Sequence, residues 1–599
     1  MVIGHLDIET RGYVDLTKAG VHAYAEDVEI LIACWAIGGG EVKCWTVLDE
    51  APLSEALPEV DVWCSHNSQF ERVCLAANGV NVPVEKWDCT ATRARAMNLP
   101  ASLAQAAQAL KLNYQKDKRG QALIRKFSIP PFAEPDPEDG DWLDFVEYCK
   151  QDVEVERELS QKLKPLKFPE VWHQDQHIND RAIYLDKDLV EGAIAIDTTH
   201  RERCMDHLRE ITGLDNPNST AQLQGWLNEN GVKIDNMRKE TFQGLNPMDY
   251  SPEVAEALTL RQQLSQTSSK KYQAMKVSMC NDGAARGILQ YNGAGQTGRW
   301  AGRRIQPQNL ARGSVQTTTE LRDTIKTGDL DWLESLYGSD VQGVLGSALR
   351  SALIPPEGQS MLISDYSAIE ARVLAWLAGE EWVLEEFRGE GKIYEATAAK
   401  MYGVDKADVT KAQRQNGKGA TLGCGYGGGT GAVQAFGINA NIAQKVVNDW
   451  REANPNIRNY WHACMNAAKR GGVVRKNLPP VEYKRNSKWL MCKLPSGRVL
   501  YYPNARPNDN GFDMNGKKIW HGILVENITQ AVARDLLAYA LLECEKEGFD
   551  VRWHCHDEII CYGDPDQLPL LEEVMCRLPP WAEGIPMNAE GEAAPWYKK

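Results

Sequence analysis

Apolar positions come in short runs closed by polar residues at the start of the chain. "MVIGHLDIET" reads as a strand, and strand and helix signals then alternate over the first 160 or so residues, ending in the acid-rich helix "DWLDFVEYCKQDVEVERELSQKL". That alternation predicts an α/β unit. "KPLKFPEVW" follows, and its prolines mark a linker. From about 170 to 285 the pattern is mainly helical; in "STAQLQGWLNENG" Ser219 or Thr220 is the N-cap and Gly231 the stop. Beyond it, "RGILQYN", "SMLISDYS", "RVLYYP" and "VRWHCHDEIICYG" read as strands, interrupted by a helical block from about 380 to 475. No internal repeat and no low-complexity segment is present.

Composition narrows the class. At 599 residues, with 43% hydrophobic and 25% charged positions, the chain has room for several domains of ordinary globular type. No basic leader with an apolar core opens it and no run of eighteen apolar residues occurs, so a membrane partner is not expected. The 15 cysteines lie scattered, mostly in apolar stretches, which predicts reduced thiols in a cytoplasm rather than a disulfide framework. A net charge of −15 argues against nucleic acid as a partner at first. Local fields decide binding, however, and "TGRWAGRRIQPQNLARG" (297–313) and "TKAQRQNGKGATLGCGYGGG" (410–429) carry Arg and Lys with no acid.

Acids gather at informative spacings. In "LDIET" Asp7 and Glu9 stand two apart at a strand end, so they share a face. "SHNSQFER" places Asn67 and Glu71 four apart, and "EYCKQD" does the same for Tyr148 and Asp152 on a helix, where Tyr148 can hold a water beside a metal bound by Asp152. Four carboxylates and a tyrosine on one α/β unit can assemble a two-metal site for phosphodiester hydrolysis.

A second set lies further on. The triplet His556-Asp557-Glu558 falls between apolar flanks, in or beside a hairpin turn. It can be a solvated turn, or a zinc site drawing on His554, Cys555, His556 and Cys561, although no second Cys/His cluster has finger-like spacing. It can also offer a carboxylate to a hard cation, which needs a partner acid. Asp365, closing the apolar run of "MLISDYSAIEAR", is that partner; the competing role is an N-cap of the next helix. Glu370 follows five residues later. Between the two acid sites Arg414, Lys418, Leu422 and Tyr426 recur every four residues, one helical stripe about 18 Å long. Two cations followed by two apolar groups can meet a triphosphate and then a base. The glycines of "GCGYGGGTG" fit neither the Rossmann nor the Walker pattern, and each costs a helix about 1 kcal/mol, predicting a loosely held helix.

The first acid set resembles the proofreading 3′→5′ exonucleases, with Glu71 where many members carry Asp. "DYSAIEAR", "RQNGKGATLGCGYG" and "HDE" resemble, in that order, motifs A, B and C of the family A DNA polymerases. "TGRWAGRRIQPQNLAR" and "VENITQAVARD" are similar to that family's flanking elements, and "STAQLQGWL" to its thumb. The resemblance spans nearly the whole chain and is similar in layout to bacteriophage-type members. It implies an α/β exonuclease domain with an RNase H-like mixed sheet at residues 1–165 and an α+β right-hand polymerase domain. Within the latter, 166–290 are mainly helical thumb and connector, 291–380 the first part of the palm, 381–480 the fingers and 481–599 the rest of the palm.

The implied chemistry is template-directed addition of dNTPs to a primer 3′ end on primer-template DNA, with proofreading. Two Mg2+ per active site, replaceable by Mn2+, go with it. Asp365, Tyr366 and Asp557 are the implied palm ligands, and Asp7, Glu9, Glu71 and Asp152 those of the exonuclease site, with Tyr148 beside them. Arg414 and Lys418 grip the triphosphate, Lys418 protonates pyrophosphate, Tyr426 packs beside the templating base, and Glu370 lies under the sugar. Leu422 stands where the family usually has an aromatic residue. Arg299 and Gln530 touch the minor groove at the primer end. Glu526 and Tyr394 replace the Asn and His common elsewhere in the family. A single-subunit RNA polymerase and a non-catalytic replication scaffold are the alternatives, and processivity or replisome proteins are further partners of unspecified kind.

Overall fold

A computed structural model describes residues 1–113, 119–238, 241–242, 244–266, 269–310, 313 and 315–598. Ala311 and Arg312, which end the basic motif around Arg299, lie outside the described residues.

The N-terminal pattern folds into a five-stranded mixed sheet of order β3-β2-β1-β4-β5, with β1 Ile3–Arg11, β2 Glu29–Ile37, β3 Lys43–Thr46, β4 Val62–Ser65 and β5 Trp87–Cys89. Neighbours β1 and β2 run antiparallel, as do β2 and β3; β4 runs parallel to β1 and to β5. Alternation along β1 divides its side chains. Leu6 and Ile8 enter one core with Trp35, Trp63 and Trp87, while His5, Asp7 and Glu9 face the other way. That second face is covered by the helix Gly140–Lys162, capped by Asp139, whose Trp142, Phe145, Tyr148 and Val153 pack on Leu31 and Ile32. The expected linker is shorter than its prolines suggested, because Pro169 opens the helix Pro169–Asp180 and Val171 and Trp172 are buried in it. Proline at a first helical turn starts a helix as readily as it breaks one.

The cysteine reading needs correction at one pair. Cys34 and Cys44 face each other across β2 and β3 and are disulfide-bonded; the other thirteen are free, twelve of them buried. Cross-strand neighbours 10 residues apart were invisible to composition.

The helical middle includes Lys187–Thr212 and Thr220–Glu229; Ser219 is the N-cap, accepting from the amide of Gln222, and Gly231 follows at φ 91°. The largest core surrounds a four-stranded antiparallel sheet in which Ser360–Tyr366 lies between Glu558–Gly563 and Ala589–Ala594, with Asp550–Cys555 at the edge. Behind it runs the helix His521–Lys546, apolar nearly all round and correspondingly buried. Helices from Glu381 to Arg470 form the interrupting block. Between that block and the long helix come two small antiparallel sheets, one from Gly472–Val473, Glu482–Arg485, Trp489–Lys493 and Val499–Pro503, the other from Arg506–Asn508, Gly511–Met514 and Lys517–Ile519. Trp489 and Tyr501 of the first pack against a buried cluster of the N-terminal unit that includes Met97, Leu103 and Leu159. Among the described residues no helix is long and apolar enough to cross a membrane.

Candidate active sites

The strand β1 and the helix Gly140–Lys162 bring the first acid set together. One carboxylate oxygen from each of Asp7, Glu9 and Asp152 lies within 4.8 Å of the others, and Cys149 Sγ is 3.5 Å from Asp7 Oδ2. Tyr148, one turn before Asp152, is buried; burial and then the charges of Glu9 and Asp152 push its phenol far above the usual range. Glu71 enters from the helix Gln69–Ala77 and is buried, with one carboxylate oxygen lacking any hydrogen-bond partner. Burial first, and the Asp7 charge second, raise its carboxyl well above the ordinary value. Like charges crowded at low dielectric around an orphaned oxygen suit a divalent cation with carboxylate ligands. One step along the same interface His5 Nδ1 sits 2.6 Å from Glu156, and Cys64 Sγ 3.1 Å from its other oxygen. Sequence reasoning missed this group, which satisfies itself by hydrogen bonds and fastens the helix to the sheet.

The second set meets at the end of the palm-like sheet. Asp365 is opposite Glu558 in the ladder, and the amide of Tyr366 donates to the carbonyl of Asp557 at 3.1 Å. His556 and Asp557 form the hairpin turn, His556 at φ 55°. The hairpin expected of this triplet is therefore present, and it delivers Asp557 beside Asp365. Asp365 does not cap the next helix: Ile369–Ala378 begins at Ala368 with no side-chain cap. Alternation turns the Tyr366 side chain inward, where its hydroxyl donates to the carbonyl of Met575 at 2.6 Å, so a metal contact from this residue would come from its backbone. Only its backbone stays at the site. The zinc alternative also falls: His554 is buried against Trp300, ring centroids 4.5 Å apart, and His554, Cys555, His556 and Cys561 do not gather ligand atoms. Burial and nearby Arg534 hold His554 down to about 3.

Beside these acids opens a cavity of about 410 Å³ walled by Glu370, Tyr394, Leu422, Tyr426, His556 and Asp557 among others. Glu370 is doubly held, accepting from Arg299 Nη2 at 2.5 Å and from the Tyr426 hydroxyl at 2.6 Å. Burial and the Glu370 charge raise the Tyr426 phenol well above its usual range. The stripe is three residues rather than four on the helix, because Lys411–Cys424 ends before Tyr426, which lies on the following turn. Two glycines inside the helix also serve packing. A Cβ at Gly417 would meet the Tyr394 carbonyl oxygen at 2.3 Å, and one at Gly419 would meet Ile438 at 2.8 Å, so they let neighbouring elements approach. Leu422 is 44% exposed on the cavity wall, which removes it from core packing.

Arg414 and Lys418 flank the ring of Tyr394 at 5.7 and 5.9 Å. Arg414 Nε also donates to Glu395 at 2.6 Å, a partner that no motif announced. Gln530 lies 3.5 Å from Glu526, whose carboxyl is raised by burial and by Glu370. Buried Arg534 stacks on Trp300 at 4.3 Å and donates to the carbonyl of Gly298, steadying the turn before Arg299. Its place four residues after Gln530 is the only linear signal for it.

The sequence pattern of DNA polymerase family A matches residues 197–488. A DNA polymerase of Bacillus phage SP02 is 40% identical, the match covering 99% of each chain. DNA polymerase I of Streptococcus pneumoniae is 26% identical over 49% of this chain and 32% of its own length. Among solved structures, the POL domain of Pol1 from M. smegmatis, in complex with DNA primer-template and dNTP, superposes with a TM-score of 0.64 at 15% identity, covering 100% of this chain and 95% of that one.

Proposed function

The chain belongs to DNA polymerase family A, and from that premise we propose that it extends a primer on a DNA template by metal-assisted nucleotidyl transfer and removes 3′-terminal nucleotides at a second site. The observation that carries the first half is the juxtaposition of Asp365 and Asp557 at adjoining strand ends beside a nucleotide-sized cavity. These two carboxylates would hold magnesium, which when bound lowers the pKa of the primer hydroxyl and neutralises the departing pyrophosphate.

The remaining work falls to side chains. Arg414 and Lys418 meet the triphosphate along one helix face, and Lys418 donates a proton to the leaving pyrophosphate. Glu370, clamped by Arg299 and Tyr426, forms the floor under the sugar, so a 2′-hydroxyl meets a fixed carboxylate. Leu422 supplies an apolar wall near the sugar. Arg299 and Gln530 face the primer terminus, where minor-groove acceptors common to A·T and T·A pairs test pair shape without reading sequence.

For the second site, Asp7, Glu9, Glu71 and Asp152 would hold the metal pair, and Tyr148 orients water next to Asp152. The orphaned oxygen of Glu71 supports a place for it among the ligands. Separate domains holding the two sets are the layout implied by residues 1–165 and 291–599. One assay tests both halves. Labelled primer-template is incubated with Mg2+ and dNTPs, ribonucleotides or no nucleotide; extension with dNTPs and shortening without nucleotide are expected. No extension with dNTPs sinks the polymerase half, and a primer left intact without nucleotide sinks the exonuclease half.

A further inference from the structure

Positive charge is concentrated on the two small sheets that precede the long helix. Residues 475–518 hold ten Lys and Arg against three acids, in a chain of net charge −15. Lys476, Lys484, Arg485, Lys488, Lys493, Arg506, Lys517 and Lys518 are all exposed. Of these only Lys484 forms an ion pair among the described residues, with Glu482 at 3.3 Å. Elsewhere on the surface Lys and Arg are commonly paired, as Lys126, Arg203 and Arg577 show. Unbalanced cations raise the self-repulsion of a surface and are retained most readily where a polyanion takes them up.

The sheets also place these cations. Arg506, Asp513 and Lys518 are neighbours across three strands, and the carbonyl of Lys488 accepts from the amide of Asn504, two residues before Arg506. The tip of one hairpin therefore adjoins the second sheet. Lys517 and Lys518 then border a groove of about 540 Å³ whose other walls include Asn98, Gln296 and Ile523. Gln296 is three residues before Arg299, and Ile523 is seven residues before Gln530 on one helix, about 10 Å along its axis. The groove thus opens within a short reach of the primer-terminus residues.

We propose that this basic face, centred on Lys517 and Lys518 and continued by Arg485 and Lys488, is a contact surface for the phosphodiester backbone of the bound primer-template DNA. It rests on the polymerase reading above and adds a second anchor outside the palm acids. Lysines on exposed hairpins hold phosphates as point charges and carry no sequence information, which suits an enzyme that must accept every template.

The test is binding of the full chain to labelled primer-template without divalent cation, by anisotropy from about 50 to 200 mM salt. Lys517→Ala/Lys518→Ala is expected to raise Kd roughly tenfold at about 0.1 M salt and to lessen the slope of log K against log salt by about 2, two phosphates at 0.9 each. Arg485→Ala/Lys488→Ala should weaken binding in the same sense. Lys43→Ala, on the far edge of the N-terminal sheet, should change nothing, and extension at saturating DNA should keep its kcat in all variants. Both double variants binding within twofold of wild type at an unchanged slope would overturn the face while leaving the polymerase reading intact. A wild-type chain that neither binds nor extends primer-template overturns both.

Discussion

Leu422 shows how much one exposed side chain decides. It lines the cavity at the position where the family resemblance implies an aromatic ring, and it offers neither donor nor acceptor. Wild type should therefore reject dideoxynucleotides, and Leu422→Tyr should relax that rejection a few-fold to about tenfold, the worth of one hydrogen bond of roughly 0.5–1.5 kcal/mol. Leu422→Phe adds the ring alone. The ratio of kcat/KM for dNTP and ddNTP, in a background lacking exonuclease activity, decides; equal ratios for the Tyr and Phe variants defeat the hydroxyl argument. Asp175 makes a prediction about stability instead. It is buried, accepts from Trp300 at 2.8 Å and Gln176 at 2.9 Å, and burial raises its carboxyl to about 7. Because its folded pKa is raised above the unfolded one, the folded state keeps a proton that the unfolded chain releases. Stability should fall as pH rises from about 4 to about 7 and level off above, by at most about 4 kcal/mol at 1.36 per unit. The difference in unfolding free energy between wild type and Asp175→Asn, followed by urea titration across that range, reports this; a constant difference would exclude it.

At the scale of elements, the helices Ile393–Tyr402 and Lys411–Cys424 act as a pair. The first presents Tyr394 between the two cations of the second, and presents Glu395 to Arg414. On the proposed role of Arg414 at the triphosphate, it cannot keep Glu395 and also turn its full fork to the nucleotide, so the ion pair would compete with nucleotide binding. The pair is part-exposed, Arg414 at 46% and Glu395 at 24%, which limits its strength to about 1 kcal/mol or less. Glu395→Gln should lower the KM for dNTP by about two- to fivefold with kcat little changed, whereas Arg414→Ala should raise it. Steady-state extension at varied dNTP checks both, and a KM that rises in Glu395→Gln removes the competition. The capping box of Thr410 and Gln413 fixes where the second helix starts. Its glycines fix how closely the first approaches.

For the whole molecule, the two acid sets rest on different sheets with different cores. Removing one set should leave the other working. Asp365→Ala or Asp557→Ala should abolish extension and spare degradation of single-stranded DNA; Asp7→Ala with Glu9→Ala should do the opposite. Extension near the wild-type rate in either palm variant would show that the metal ligands lie elsewhere. Yet the units are joined through specific contacts: Arg72 pairs with Asp180 at 2.6 Å, Arg95 donates to the carbonyl of Tyr291 at 3.1 Å, and Asn98 donates to the carbonyl of Tyr501 at 3.0 Å.

What could be read from sequence alone was whatever one element settles by itself. Alternation along β1 put Asp7 and Glu9 on one face, four-residue spacing aligned Tyr148 with Asp152, and polar residues between apolar flanks marked the turn at Asp557. Periods of two and 3.6 are local properties of the backbone, so they survive without knowledge of neighbours. Those same periods misplaced Tyr426, where the helix stops, and said nothing about Tyr366, whose inward turn depends on which face of the sheet carries the core. Only tertiary structure joined Glu370 to Arg299 and Tyr426, 71 and 56 residues away, paired Cys34 with Cys44, set Glu395 against Arg414, and gathered unpaired lysines along one groove. Such contacts are chosen by how layers pack and strands register, and that choice is made by the summed burial of distant residues rather than by any pattern within one segment.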